Sequence, residues 1–373
     1  METMKELLEG WEGYLPVKGT SSVEHEQRLT ETVNLLTGGG MPSHQRAYLI
    51  REAMTTSDFP YLFGEILNRG MIAAFKNAPA VMDPIFKQGR FNDFRTVHRY
   101  QITGGNERLR EVAEKGEYLA SDRDEVRWTY TPKKYGKQFD ISWEAIINDD
   151  LGGLKDTPMR MAQAAVAAKS YFQTALYWDA SGPLDAYFAG NGGAAAVATT
   201  PLTIANLETG VEAMAAYTDP AGNPLTNRPK FLVIGPALEF TARQILTSAN
   251  KMYLMTGDTD VAATAYPTTN VIAQYGLQLI INPWLPIICT DHGATTWALF
   301  SDPNDIPAGE FGTLTGREEP EIFMKASDQA RVGGGLASPM DGDFATDNIF
   351  YKVRYVFGGC TLSGRAGWAS DGA

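Results

Sequence analysis

The chain has 373 residues, of which 44% are hydrophobic and 11% aromatic, so it carries enough apolar material for a sizeable core and is not globally disordered. Its formal net charge of −12 argues against a tight nucleic-acid binder, because such proteins usually present a basic footprint. The two cysteines, Cys289 and Cys360, are too few for a disulfide scaffold or for a zinc ribbon built on cysteine.

The chain shows no segment that favours a membrane or a secretory route. Its longest apolar stretch, residues 277–289, is interrupted by one asparagine and two prolines and is too short to span a bilayer. The first residues are acidic and lack the apolar region of a signal peptide. We therefore expect a soluble intracellular protein.

Residues 1–58 differ in pattern from the rest of the chain. Short helix-like patches, polar on most sides, alternate with glycines and cannot bury enough surface to fold alone. We predict an extended arm that becomes ordered against neighbours.

From Phe59 to Phe75, large apolar residues recur every three or four positions, which predicts an amphipathic helix.

Between Phe94 and Trp143 the hydrophobic period changes to two, which predicts three β-strands. The first two strands flank residues 104–124, a long polar insertion with charges of both signs. An insertion of this length is unusual in a compact domain, where connections are commonly ~4–6 residues, so we predict a projecting hairpin that contacts a partner. The candidate contact residues are Arg108, Arg110, Glu111, Glu114, Lys115, Glu117, Asp122 and Arg123.

A long helix is predicted from Pro158 to Asp179. Thr157 is a suitable N-cap, proline fits the first helical position, and Gly182 with Pro183 would stop the helix. After it the pattern alternates between helices and strands, which indicates an α/β or α+β domain, and a last alternating strand is expected. The predicted elements are helices over 202–217 and 236–248 and strands over 230–234, 277–281, 297–300 and 349–357.

Motifs of catalysis are absent from the sequence: there is no P-loop, dinucleotide fingerprint, nucleophile elbow or HExxH. His98 is interpreted as a half-buried structural residue, Asp291 with His292 as a turn, and Asp341 to Asp347 as a surface turn rather than a calcium loop. We therefore predict no catalytic, cofactor-binding or metal-binding residues, no cofactor and no enzymatic activity.

One basic segment interleaved with phenylalanines leaves two interpretations open. Its cations could contact phosphate, or they could anchor one subunit on another. They are Lys87, Arg90, Arg95 and Arg99.

The order of these elements, with the phrases YGKQFDISWEAIINDDLGGL at residues 135–154 and FYKVRYVFGG at residues 350–359, resembles the major capsid protein of tailed bacteriophages. The likeness is to the Hong Kong phage 97-type capsid fold, and particularly to the Mu-like major head subunit group. It covers the chain after about Thr55.

The resemblance implies an α+β capsid fold with an N-terminal arm, an extended β-hairpin loop, a peripheral domain with a long spine helix, and an axial domain. The implied segments are the arm (1–58), a helix leading into the peripheral domain (59–93), the extended loop with its flanking strands (94–143), the peripheral domain with the spine helix (144–183), the axial domain (184–345), and the closing strand with the C-terminal tail (346–373).

The resemblance also implies a function: a structural head protein that assembles through hexamers and pentamers into an icosahedral shell around double-stranded DNA. The implied partners are other copies of the chain, a portal, a scaffold or maturation protease, a decoration protein, and packaged DNA held without sequence specificity, with no membrane. The implied location is the virion, with assembly in the host bacterial cytoplasm. Two alternatives stay open: an encapsulin-type shell around protein cargo, and a cytosolic α/β enzyme built on residues 184–345.

Overall fold

The structure is a computed structural model that describes residues 59–104, 111–112, 114, 123–142, 157–189, 197–219, 222–254, 265–329, 332 and 342–372. The predicted arm and most of the predicted loop tip lie outside these ranges. The described part mixes helices and strands, so the α+β prediction is confirmed.

The helices are α1 (Phe59–Asn77), α2 (Thr157–Ala175), α3 (Asp185–Phe188), α4 (Ile204–Ala215), α5 (Glu239–Thr247), α6 (Val271–Tyr275) and α7 (Leu285–Ile288). The strands are β1 (Phe86–Phe91), β2 (Val97–Gly104), β3 (Arg123–Tyr130), β4 (Lys133–Ser142), β5 (Pro229–Ile234), β6 (Asn250–Leu254), β7 (Ala265–Thr269), β8 (Gln278–Ile281), β9 (Trp297–Ser301), β10 (Gly309–Leu314), β11 (Glu321–Met324), β12 (Asn348–Thr361) and β13 (Gly367–Ser370).

The chain divides into two compact units, and α2 and β12 contribute residues to both. The first unit comprises Met1–Pro79, Lys134–Ala168 and Gly316–Val356. Within it β12 pairs with β4 and, antiparallel, with β11. Its core is formed where Met71 of α1 and Ala162 of α2 pack on Val353 of β12.

The second unit, Ala80–Lys133, Lys169–Thr315 and Phe357–Ala373, contains a four-stranded sheet in the order β13-β9-β5-β8. Strand β5 is parallel to β8 and antiparallel to β9. Its central strands read as continuous apolar runs because both faces are covered, and every residue of β9 is buried. Helices α4, α5 and α6 supply Leu207, Ile245 and Ile272 to the core that covers one face.

A second ladder in this unit pairs β1 parallel to β10, and β10 antiparallel to the last part of β12. Strands β2 and β3 form a separate antiparallel hairpin, in which Val97 lies opposite Tyr130 and Gly104 opposite Arg123. The predicted strand pair on either side of the insertion is therefore confirmed.

The predicted end of the long helix is wrong. The helix stops at Ala175 instead of Asp179, because Tyr177 and Trp178 turn inward and are buried. Their rings contact Phe300 at centroid distances of 5.1 and 6.2 Å, and Trp178 Nε1 donates a hydrogen bond to Thr296 Oγ1 over 3.3 Å. This aromatic cluster stabilises a turn where the sequence pattern alone favours a further turn of helix.

Candidate functional site

Within the described residues, no three His, Cys, Asp or Glu side chains form a group that could hold a metal ion. His292 lies in a turn before β9, as predicted. Asp343 caps a turn by accepting hydrogen bonds from the Thr346 and Asn348 amides over 3.0 and 3.3 Å, while Asp341 lies outside the described residues. None of the helices in the described ranges is long and apolar enough to cross a bilayer.

The hairpin of β2 and β3 presents apolar and aromatic groups to solvent. Tyr100 is 60% exposed, and Val126 on the opposite strand is also exposed. The prediction for His98 is wrong: the side chain is exposed, because it lies on a two-stranded ribbon that no other described strand covers. Tyr100 lies opposite Arg127 and Val126 opposite Gln101, so the two residues are on opposite faces of the ribbon, and each face presents one of these groups to solvent.

The predicted contact residues fall mainly outside the described residues. Glu111 and Glu114 are described and exposed, and Arg123 lies opposite Gly104 at the end of the hairpin ladder. Those outside are Arg108, Arg110, Lys115, Glu117 and Asp122.

One carboxylate at the base of the hairpin binds both of its strands. Glu310 of β10, which is 5% exposed, accepts from Arg99 Nε with both oxygens at 2.8 Å, and Arg99 Nη2 lies 2.7 Å from Oε1. Tyr130 of β3 donates its hydroxyl to Glu310 Oε1 over 2.9 Å. A bidentate guanidinium and a phenol thus share one buried acceptor, a strong and directional arrangement.

Both partners of Glu310 are kept in the protonated forms that donate hydrogen bonds. The hydrogen bond to Glu310 raises the pKa of Arg99 above its ordinary value. Burial, followed by the hydrogen bond to Glu310, raises the pKa of Tyr130 well above that of a free phenol. Within the basic segment, the guanidinium of Arg99 is bound to a carboxylate of its own chain. Arg95 lies near Asp93, with Nε 3.8 Å from Oδ2, and Lys87 is exposed on β1.

Glu310 is the residue that sequence analysis missed. It sits in Gly309–Leu314, a stretch that was not assigned to any strand because glycines interrupt its period. The feature of the sequence that could have indicated the role of Glu310 is that it is an isolated acidic residue between a glycine and a phenylalanine.

A second buried ion pair lies just before β1. Lys169 of α2 contacts both oxygens of Asp83, at 2.7 and 2.8 Å, and Gln173 Nε2 donates to Asp83 Oδ1 over 2.8 Å. The ammonium also lies 4.8 Å from the centroid of the Phe311 ring. This pair ties the start of β1 to the helix.

In the first unit, one face of β11 and β12 carries cations over aromatic rings. Arg354 and Lys352 lie 4.3 and 5.5 Å from the centroid of the Phe323 ring, and Lys325 lies 5.4 Å from that of Phe350. Arg354 also binds Glu321 over 2.8 Å. Lys352 is exposed, so this cation–aromatic face presents positive charge to solvent.

Both cysteines are buried thiols. Burial raises the pKa of Cys360 to about 12 and raises that of Cys289 as well, and only the thiolate reacts quickly. We expect neither thiol to react with Ellman's reagent at pH 8 in the folded chain, and both to react in denaturant. Fast reaction of one thiol before unfolding would contradict the burial of that cysteine.

Comparison with solved structures gives distant likenesses. A structure from Gordonia phage Cozz is 13% identical with a TM-score of 0.45, covering 78% of this chain and 86% of that chain. The capsid of an empty GTA particle is 12% identical with a TM-score of 0.44, over 79% of this chain and 89% of that one. A virus-like particle from Pyrococcus furiosus is 11% identical with a TM-score of 0.40, over 83% and 99%. Likenesses this distant carry no argument about function.

None of the curated proteins matches the chain. Comparison with models of protein families, in contrast, gives a specific result. The sequence model of the family described as phage capsid protein matches residues 125–370, which is more than half of the 373-residue chain. The matched range contains most of β3, Lys169 of α2, Glu310 of β10 and the cation–aromatic face. The chain belongs to the phage capsid protein family and is a structural capsid protein.

Proposed function

We propose that the chain is the major head protein of a tailed phage or prophage, and that it closes through hexamers and pentamers into an icosahedral shell around double-stranded DNA. The family match over residues 125–370 is the observation that carries the proposal. Membership in a capsid family implies self-assembly and a structural role, and closed symmetry is how identical subunits avoid open-ended growth. The proposed location is the virion, with assembly in the host cytoplasm.

The proposal gives each segment a role. Residues 1–58 form the arm and residues 59–93 lead into the peripheral domain. Residues 94–143 form the extended loop, residues 144–183 include the spine helix, residues 184–345 form the axial domain, and residues 346–373 close the fold. Two observations support intersubunit contact: the exposed apolar groups on the hairpin, and Phe240 on α5, which is 85% exposed.

We propose that the loop binds the cation–aromatic face of a neighbouring copy. Glu111 and Glu114 are exposed on the loop, and Lys352 is exposed on that face. Opposite charges on two surfaces of the same chain favour contact between copies, with each exposed pair worth ~0–1 kcal/mol. One pair this weak cannot hold two subunits together. Such pairs set the register of subunits and stabilise a shell because the same contact is repeated at every copy.

Reversing the loop charge should therefore reduce assembly. We expect the double change Glu111→Lys with Glu114→Lys to lower the yield of closed particles in negative-stain images, since ~1 kcal/mol is lost and repulsion is added at every copy. Adding Lys352→Glu should restore part of the yield.

The matched control is the double change Glu212→Lys with Asp305→Lys, which also reverses two charges at exposed positions. An equal loss of particles in this control, or no rescue by Lys352→Glu, would contradict the proposed loop contact. Raising the salt concentration should weaken assembly in the unchanged chain as well, because exposed pairs are screened.

Further partners are proposed by the same reasoning. A shell that is filled with DNA needs a portal, a scaffold or maturation protease during assembly, and optionally a decoration protein. The formal charge of −12 favours loose, non-specific contact with packaged DNA rather than tight binding.

The contents of purified particles test the function directly. Particles from infected or induced cells, treated with nuclease and then opened, should release double-stranded DNA. Release of a protein cargo without DNA would favour the encapsulin-type alternative. A discrete enzyme built on residues 184–345 would form no particle.

A further inference from the structure

The base of the β2–β3 hairpin is held by a single carboxylate. Arg99 lies in β2, Tyr130 in β3 and Glu310 in β10, so one buried side chain of the body reaches one side chain from each strand of the hairpin. Arg99 Nη2 also approaches the Arg90 carbonyl oxygen at 3.4 Å. We call Arg99, Tyr130 and Glu310 the hairpin latch.

Glycines on the adjacent strands leave the space that the latch occupies. A Cβ on Gly89 of β1 would collide with the Glu310 carboxylate, and a Cβ on Gly312 of β10 would collide with the Tyr130 hydroxyl. On β12, a Cβ at Gly358 would lie 3.0 Å from the Tyr130 ring. Strands β1, β10 and β12 therefore each have a glycine next to the latch, and the space without side chains is filled by Glu310 and Tyr130.

Apart from the latch, the described hairpin is not part of a sheet of the body. Within the described ranges the backbones of β2 and β3 pair only with each other, as a two-stranded sheet. Beyond Arg99 both faces of β2 are exposed, as at the successive residues Tyr100 and Gln101. A two-stranded ribbon without other support is free to pivot about its base unless a specific contact fixes it.

We propose that the hairpin latch sets the direction in which the β2–β3 hairpin projects, and that releasing Glu310 from Arg99 and Tyr130 allows the hairpin to pivot as a unit. The body of the second unit stays folded when this happens, because its sheet and its Asp83–Lys169 pair do not involve the hairpin. The two strands also stay paired, because their ladder is internal.

Distance measurement between two spin labels tests the latch. Labels on Gln101→Cys in β2 and Glu212→Cys in α4 occupy exposed positions within one unit, and the native cysteines are buried. The full chain is used, with labelled copies diluted in unlabelled ones so that only distances within one chain contribute. We expect one narrow distribution in the otherwise unchanged chain and a distribution at least twofold broader after Glu310→Gln.

Two further variants break the latch in different ways. Tyr130→Phe removes a single hydroxyl and should give an intermediate width. Gly89→Ala keeps every charge but displaces the carboxylate, and should broaden the distribution as Glu310→Gln does. The matched control, Asp83→Asn, weakens a comparable ion pair of the same unit and should leave the distribution narrow.

A narrow, unchanged distribution in folded Tyr130→Phe and Gly89→Ala would overturn the proposal. Equal broadening in Asp83→Asn would also overturn it, because the effect would then reflect general destabilisation. The readout does not depend on particles: a pivoting hairpin in a chain that never closes a shell would support the latch and count against the proposed function.

Discussion

Replacing Asp83 by alanine is expected to lower the free energy of unfolding of the second unit by about 3 kcal/mol. The change leaves the Lys169 ammonium, whose side chain is 11% exposed, without its carboxylate. A buried charge without its partner keeps the full desolvation cost, which is why the loss exceeds that of a surface pair. Urea unfolding of the dissociated subunit, followed by circular dichroism, measures it.

The double variant Asp83→Ala with Lys169→Met separates the charge from the packing. Methionine keeps most of the volume next to the Phe311 ring and removes the stranded cation, so the double variant should be more stable than Asp83→Ala alone. A double variant less stable than the single one would contradict a cost that arises from an unpaired charge.

Replacing Trp297 by alanine is expected to cost about 4 kcal/mol of unfolding free energy, because it removes a fully buried indole from the middle of a sheet. Trp297 lies in β9 between β5 and β13 and is 0% exposed. Its ring centroid lies 4.9 Å from that of Trp368, and its Nε1 donates to the Thr200 carbonyl over 3.0 Å. The loss is large enough that few particles should form at 37 °C.

Trp284→Ala is the control for the loss of a tryptophan. Trp284 is half-buried just before α7 and makes an edge contact with Tyr171 at a centroid distance of 5.6 Å, so its removal should cost only about 1 kcal/mol. Equal losses for the two tryptophans, measured by the same urea titration, would contradict the assigned core.

The sequence predicts the long, regular elements well. Helix α1, strands β2 and β3, and strand β12 follow from strict periods of hydrophobic residues, although β12 continues to Thr361 beyond the predicted Phe357. The buried strands β5 and β9 follow from short apolar runs. In each case a local pattern and the tertiary packing favour the same structure.

Three strands that the sequence did not predict depend on contacts with residues far away in the chain. Strands β1, β10 and β13 contain glycines that break the period, because neighbouring side chains fill the space above them. The hairpin latch joins residues about 200 positions apart, such as Arg99 and Glu310 with a separation of 211. A single sequence offers no local signal for a contact of that separation, whereas the hairpin itself was predicted from its two strands.

The central claim is that copies of this chain close into a shell. Light scattering behind size exclusion, with negative-stain images of the leading peak, measures it on the recombinant full chain. We expect closed particles, or hexamers and pentamers of the 40.7 kDa subunit. A monomer or dimer that stays unchanged at high concentration and in the presence of a co-expressed scaffold would contradict the account.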